Sequence, residues 1–249
     1  MRARPAHHRR PVRRALAASG ALIALYLIVA YGLLPLIWTE AERTHHPALV
    51  GLPKVTTNAD GIPGDPLNVA LVGDQADLVR AMHAAGWHPA DPITLESSLK
   101  IAESVVFDRP DPDAPVSPLY LFGRQQDLAF EQEVGRSADQ RHHVRWWRGD
   151  DPDVSGRPLW VGSATFDKDA GVSHLTGQIT HHIAPDIDAE RDRLIASLQQ
   201  AGQLVETYQW AGVGPTDDGR NAGGDRYVTD GMIDVGVLEP AGEGAAAPE

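Results

Sequence analysis

The side chains in this chain best suited to chemistry are histidines. Beyond residue 50 they are His83, His88, His142, His143, His174, His181 and His182, and four of them form two adjacent dyads, His142-His143 and His181-His182. Imidazole serves as acid, base or metal ligand near neutral pH. Both dyads fall in segments that read as strands, where neighbouring side chains point to opposite faces, so each dyad offers each face of a sheet one ring. A site therefore needs His142 or His143 together with His181 or His182. With His174 and Asp186 added, the set His143, His174, His182 and Asp186 would make a zinc or other divalent site of the His-His-Asp type. A divalent metal is the one cofactor this pattern suggests. The alternative is structural: in each dyad one ring is half-buried against backbone and its neighbour is exposed. A site here would lie near the first turn of a helix over 186–201, where free amides and partial positive charge favour an anion.

A second constellation is cationic. Arg124, in the stretch GRQQD, could join Arg141 and Arg145 in gripping a phosphate or carboxylate, because guanidinium binds oxyanions through two parallel hydrogen bonds. Arg145 lies two residues from His143 and so shares its face. The ligand-binding candidates are therefore Arg124, His143, Arg145 and His182. Asp127 and Glu131 stand close enough in sequence to be internal partners of those arginines instead. Other chemistry is poorly represented. The chain has no cysteine, which removes thiolate nucleophiles, disulfides and cysteine-metal sites. No serine sits in a G-x-S-x-G elbow. The glycine-rich stretch GRNAGGD at 219–225 lacks the strand-to-helix setting of a phosphate loop, and the stretch around Asp60, Gly61, Gly64, Asp65 and Asn68 lacks calcium-loop spacing.

The elements that would carry these groups can be read from periodicity. Residues 51–66, dense in Gly, Pro, Asn and Asp, read as a loop. Residues 67–72, LNVALV, read as a buried strand, and a helix follows to Ala85 with Leu78, Met82 and Ala85 on one stripe, Asp74 as its cap and Gly86 as its end. A second helical pattern covers 93–106. From residue 118 the pattern turns to strands over 119–122, 128–134, 142–148, 159–166 and 178–183. The clearest helix is 186–201, with Ile187, Leu194, Ile195 and Leu198 on one face and acids in its first turn. Closing strands are expected over 205–213 and 232–238, with a loop at 214–231 between them. The fold class is α+β: one domain over 67–238, a mostly antiparallel sheet with helices on one face. Residues 39–66 form a juxtamembrane linker and loop, and 239–249 a disordered tail.

Residues 15–38 set the address. They carry no charge and follow Arg2, Arg4, Arg9, Arg10, Arg13 and Arg14, while Glu40 and Glu42 come after. A helix of this length spans a bilayer core of about 30 Å. Arginine-rich flanks stay in the cytoplasm, which predicts a single-pass signal anchor in the inner membrane. Residues 1–14 are then a basic cytoplasmic segment, and the C-terminal domain is extracytoplasmic. The net charge of −12 conceals an asymmetry: beyond residue 14 there are 16 Lys and Arg against 34 Asp and Glu, a net of −18. Such a domain lacks the basic footprint that nucleic acid requires.

Several separated segments, GLPKVTTNADGIPGDPLNVALVG, YLFGRQQDLAFEQEVG, RHHVRWW, GQITHHIAPDIDAERD and GRNAGGDRYVTDG, together resemble the LssY C-terminal domain family over about residues 40–238. The resemblance implies a bacterial envelope domain that often accompanies membrane segments related to type 2 phosphatidic acid phosphatases or to DedA proteins. It supplies no catalytic residue, and the phosphatase motifs themselves are missing from this chain. The expected function is a membrane-anchored accessory or binding domain with an envelope protein or lipid headgroup as partner. The alternative is a metal- or histidine-dependent hydrolase of envelope phosphoesters or phospholipids.

Overall fold

A computed structural model of the chain describes residues 9–37, 47–90, 118–134, 137–172 and 179–241. The chain divides into two compact units, Met1–Val50 and Gly51–Glu249.

In the first unit, helix α1 (Arg9–Ile28) runs into a π-helical turn, Val29–Leu33, and the helix continues to residue 37. The stretch Val12–Ile37 is 26 residues long with a mean hydropathy of 2.3, and none of its most apolar window is buried. Leu, Ile, Val and Tyr side chains are exposed all round it, from Leu16 and Leu22 to Leu36 and Ile37. A soluble amphipathic helix would show one apolar stripe; a helix apolar on every side is suited to lipid. This helix is long and apolar enough to cross a membrane.

The second unit is α+β. Its large sheet contains β3 (Val69–Val72), β4 (His88–Pro89), β7 (Leu128–Val134), β8 (Ser137–Pro152), β9 (Pro158–Val172), β10 (Ile179–Ile183), β11 (Leu204–Ala211) and β14 (Met232–Leu238). The order is β11-β14-β3-β9-β8-β7-β4, and β10 pairs with the far end of β9. Pairing is antiparallel except between β3 and β14. Strand β3 is apolar at every position because both of its faces are buried. Helices α2 (Gln75–Ala84) and α3 (Ile187–Gln200) pack on one face through Leu78, Ala81, Met82, Leu194 and Leu198. They meet Val69, Leu71, Phe130, Val144, Trp146, Trp160 and Ala164 from the sheet. Trp146 needs room, and Gly162 on β9 supplies it: a Cβ there would stand 2.7 Å from the indole.

The helix boundaries follow local chemistry. The Asp186 carboxylate accepts from the Ala189 amide at 3.0 Å and caps α3, with Asp188 and Glu190 in the first turn. Gly86 takes φ +79° just past α2. Asp74 holds the cap position of α2, but its side chain makes no capping hydrogen bond, which corrects the expected cap.

Two segments that read as loops contain strands. Within 51–66 lie β1 (Val55–Thr57) and β2 (Pro63–Pro66), part of a four-stranded sheet of order β2-β1-β5-β6, with β5 (Tyr120–Leu121) and β6 (Arg124–Gln125). The prolines are tolerated because β2 is a terminal strand, where a missing N–H removes no ladder bond. Within 214–231, β12 (Thr216–Arg220) and β13 (Arg226–Thr229) form a hairpin in which the Tyr227 ring lies directly over Gly219. Glycine there is a packing requirement rather than a loop signal. The helical pattern over 93–106 and the tail beyond residue 241 lie outside the described residues.

Asn68 joins the layers. Its amide nitrogen donates to the carbonyls of Ala164 on β9 (2.9 Å) and Ile187 on α3 (3.0 Å), and its oxygen accepts from the Ala164 amide at 2.9 Å. Replacing this buried side chain in Asn68→Ala leaves backbone groups unpaired and should lower unfolding free energy by about 2–4 kcal/mol in urea titration. A loss below about 1 kcal/mol would mean that the amide is dispensable.

Candidate functional site

The face of the sheet opposite the helices is polar, and it is where the sequence candidates gather. Strand alternation sends Arg141, His143 and Arg145 of β8 to this face and His142, Val144 and Trp146 to the helix side. Cross-strand pairing aligns Arg141 with Asp167, His143 with Thr165 and Arg145 with Ser163, while Glu131 on β7 pairs with His143. Arg141, His143, Arg145, Ser163, Thr165 and Asp167 are all buried.

Asp167 is the hub of this network. One of its oxygens stands 3.0 Å from His143 Nδ1, and the other accepts from Arg141 Nε at 3.1 Å. Arg141 also donates to Glu131 Oε2 at 2.9 Å and approaches His181 Nδ1 at 3.4 Å. On the far side of the imidazole, His143 Nε2 lies 2.6 Å from an Arg145 Nη1 and 2.9 Å from the Thr165 hydroxyl. Guanidinium can only donate. Nε2 is therefore the acceptor, and the ring hydrogen sits on Nδ1, facing Asp167. His143 is a neutral ring with Nε2 engaged by Arg145 and Thr165 and Nδ1 set against the Asp167 carboxylate.

Arg145 extends the network to the covering layer. It reaches Asp65 at the end of β2 at 3.6 Å, and Asp65 accepts from Asn221 Nδ2 at 2.9 Å. The Asn221 oxygen accepts from the amides of Gly223 and Asp225, and Asp225 in turn holds His182 Nδ1 at 2.7 Å and the Ile183 amide at 3.3 Å. The stretch GRNAGGD is thus a tight turn whose Asn221 and Asp225 side chains face inward.

The sequence candidates can now be placed. His143 and Arg145 are in direct contact, and His182 connects to them through Asp225, Asn221 and Asp65. Asp186 caps α3 and joins no imidazole in a ligand set; among the described residues no group of three or more His, Asp or Glu has the geometry to hold a metal ion. His174 lies outside the described residues. Arg124 sits apart, on the β5–β6 hairpin. The two turn residues Phe122 and Gly123 have φ +53° and +73°, the form that favours a two-residue hairpin. The Arg124 guanidinium lies 5.4 Å above the Phe122 ring and forks onto Asp127 at 3.0 and 2.9 Å. Asp127 and Glu131 thus hold Arg124 and Arg141, the internal pairing that their sequence positions allowed. Thr165, Asn221 and Asp225 were not readable as members of this network, since each depends on a contact distant in sequence.

The electrostatics follow from burial. Burial alone would raise the Asp167 carboxyl, but His143, then His181 and Arg141, override it and hold the carboxylate far below its usual range. Burial pushes the His143 ring below its ordinary value, and Arg145 and Arg141 add to this against the pull of Asp167. His181 is lowered to about 4, first by burial and then by Arg141, again against Asp167. Both rings are neutral in the fold, whereas an unfolded chain protonates them near 6.5. The sign follows: the unfolded state takes up protons first, so stability is complete above about pH 6.5 and falls as pH drops toward about 4. His181 alone should account for about 3 kcal/mol of that loss. In urea unfolding between pH 7.5 and 4, His181→Gln should show a visibly shallower slope than the native chain. Parallel slopes would remove His181 from the titration.

The profile of the family described as LssY C-terminus matches residues 49–233, well over half of the chain. Comparison with curated proteins finds no match, and comparison with solved structures finds none. The matched span contains both packed helices, the whole Asp167 network and every strand but most of β14, and this chain belongs to the LssY C-terminus family.

Proposed function

We propose that this chain is a single-pass membrane protein whose LssY C-terminus domain works outside the cytoplasm as an accessory or binding module, with an envelope protein or lipid headgroup as partner. The observation that carries this reading is the Val12–Ile37 helix, apolar and exposed on every side, with arginines before it and acids after it. The arginine-first order favours a cytoplasmic N-terminus in the inner membrane. The chemistry of the polar face supports a binding module rather than a reactive centre. A base or metal ligand needs a nitrogen open to substrate, and His143 has Nδ1 on Asp167 and Nε2 on Arg145 and Thr165. A metal- or histidine-dependent hydrolase of envelope phosphoesters therefore draws no support from that ring. Arg124, Arg145 and His182 are likewise held by Asp127, Asp65 and Asp225.

Topology is the direct test. A periplasm-dependent phosphatase fused after Glu249 should be active in cells, and a fluorescent protein that matures only in the cytoplasm should be dark at the same position. The reverse pattern would place the domain on the cytoplasmic side and overturn the reading.

A further inference from the structure

The helix-facing side of the same three strands carries a second polar group that the Asp167 network does not use. Strands β7, β8 and β9 set Gln132, His142 and Phe166 side by side. Helix α3 crosses them with Glu190 and, one turn later, Arg193. Glu190 is only 3 % exposed, and its Oε2 stands 2.7 Å from His142 Nδ1. Its Oε1 is buried with no hydrogen-bond partner among the described residues. Burying a carboxylate with a single partner is costly. What it achieves is control of one ring: a carboxylate only accepts, so His142 keeps a hydrogen on Nδ1 and presents Nε2 on its other edge. Phe166 at 4.8 Å and Trp87 at 6.4 Å between ring centroids hold the imidazole from the sides.

Beside it, Arg193 is exposed, and its Nη2 donates to Gln132 Oε1 at 2.9 Å. Gln132 is itself fixed by donating to the Gly86 carbonyl at 3.1 Å. Arg193 makes no ion pair with any described carboxylate, in a chain with 34 Asp and Glu against 22 Lys and Arg. A positioned guanidinium with N–H groups to give, next to an oriented imidazole, suits a tetrahedral oxyanion. The guanidinium takes one oxygen. A second oxygen meets Nε2, accepting from it if the ring is protonated, or donating its own P–OH hydrogen if the ring is neutral.

We infer that His142 and Arg193, braced by Glu190 and Gln132, form a binding site for a phosphate group. The site goes beyond the anchored-module reading and does not rest on it, since binding is read on purified protein and topology in cells.

The test uses the full chain in uncharged detergent, melted with inorganic phosphate and with sodium chloride at equal ionic strength. In parallel, the full chain in phosphatidylcholine nanodiscs is melted with and without phosphatidic acid. Phosphate at about tenfold its Kd should raise the Tm by about 3 °C where chloride does not. Stabilisation by inorganic phosphate assigns a soluble ligand, and stabilisation by phosphatidic acid alone assigns a lipid headgroup. In either arm Arg193→Gln should abolish the shift with a ligand-free Tm changed by no more than about 1 °C, because Arg193 is exposed and gives up one surface hydrogen bond, to Gln132. His142→Gln should reduce the shift, and Arg226→Gln, on the exposed β12–β13 hairpin, should leave it whole. No stabilisation in either arm, a shift that survives Arg193→Gln, or an equal loss in Arg226→Gln would each overturn the site.

Discussion

A carboxylate placed in a protein interior must be answered by positive charge and hydrogen bonds from fixed positions, and the fold of this domain is organised around one such group, Asp167. It is about 1 % exposed, and its two oxygens face His143 and Arg141. Through Arg141 it reaches Glu131 on β7 and His181 on β10, so four strands meet at one charge. Removing Arg141 would leave an uncompensated buried ion, which costs about 3–5 kcal/mol. That constraint fixes register. A slip of one residue in β8 against β9 would turn Arg141, His143 and Arg145 onto the apolar helix side, away from Asp167, and Val144 and Trp146 onto the polar side. The two longest strands of the sheet are therefore locked by charge as much as by backbone pairing.

The sheet thus has two interiors of different chemistry. On one side, tryptophan, leucine and valine meet α2 and α3 in an ordinary apolar core. On the other, arginine, histidine, aspartate and threonine pair largely with one another, and Asp65, Asn221 and Asp225 carry the pairing into the covering segments. Polar networks of this kind reward completeness, since one unmatched member costs more than an apolar replacement would. This arrangement accounts for an acidic domain without cysteine keeping His143, Arg141 and Arg145 out of solvent.

Much of this architecture was legible in the sequence. The apolar helix, the α3 stripe with its acidic first turn, strand β3 and strands β7 and β14 follow from periodicity and end signals, because neighbouring residues determine them. The split of each strand dyad between faces was also predictable, and His142 and His143 show it: one turns to Glu190, the other to Asp167. Partners distant in sequence were not predictable. Nothing near Asp225 indicates that it holds His182, and nothing near Thr165 indicates that it faces His143. The strands inside 51–66 were hidden because Pro63 and Pro66 are breakers in a central strand and acceptable in a terminal one. The hairpin inside 214–231 was hidden because Gly219 is a glycine for the sake of Tyr227.

Those prolines have a further consequence for how copies of this domain meet. A terminal strand with free N–H and C=O groups invites another copy to continue the sheet. Strand β2, at one end of the small sheet, begins and ends in proline, and β4, at one end of the large sheet, is two residues long and one of them is Pro89. Neither offers a neighbour an unbroken ladder. Residues that look like loop punctuation act here as blocks on two of the sheet ends, leaving β11 as the long end strand of the large sheet.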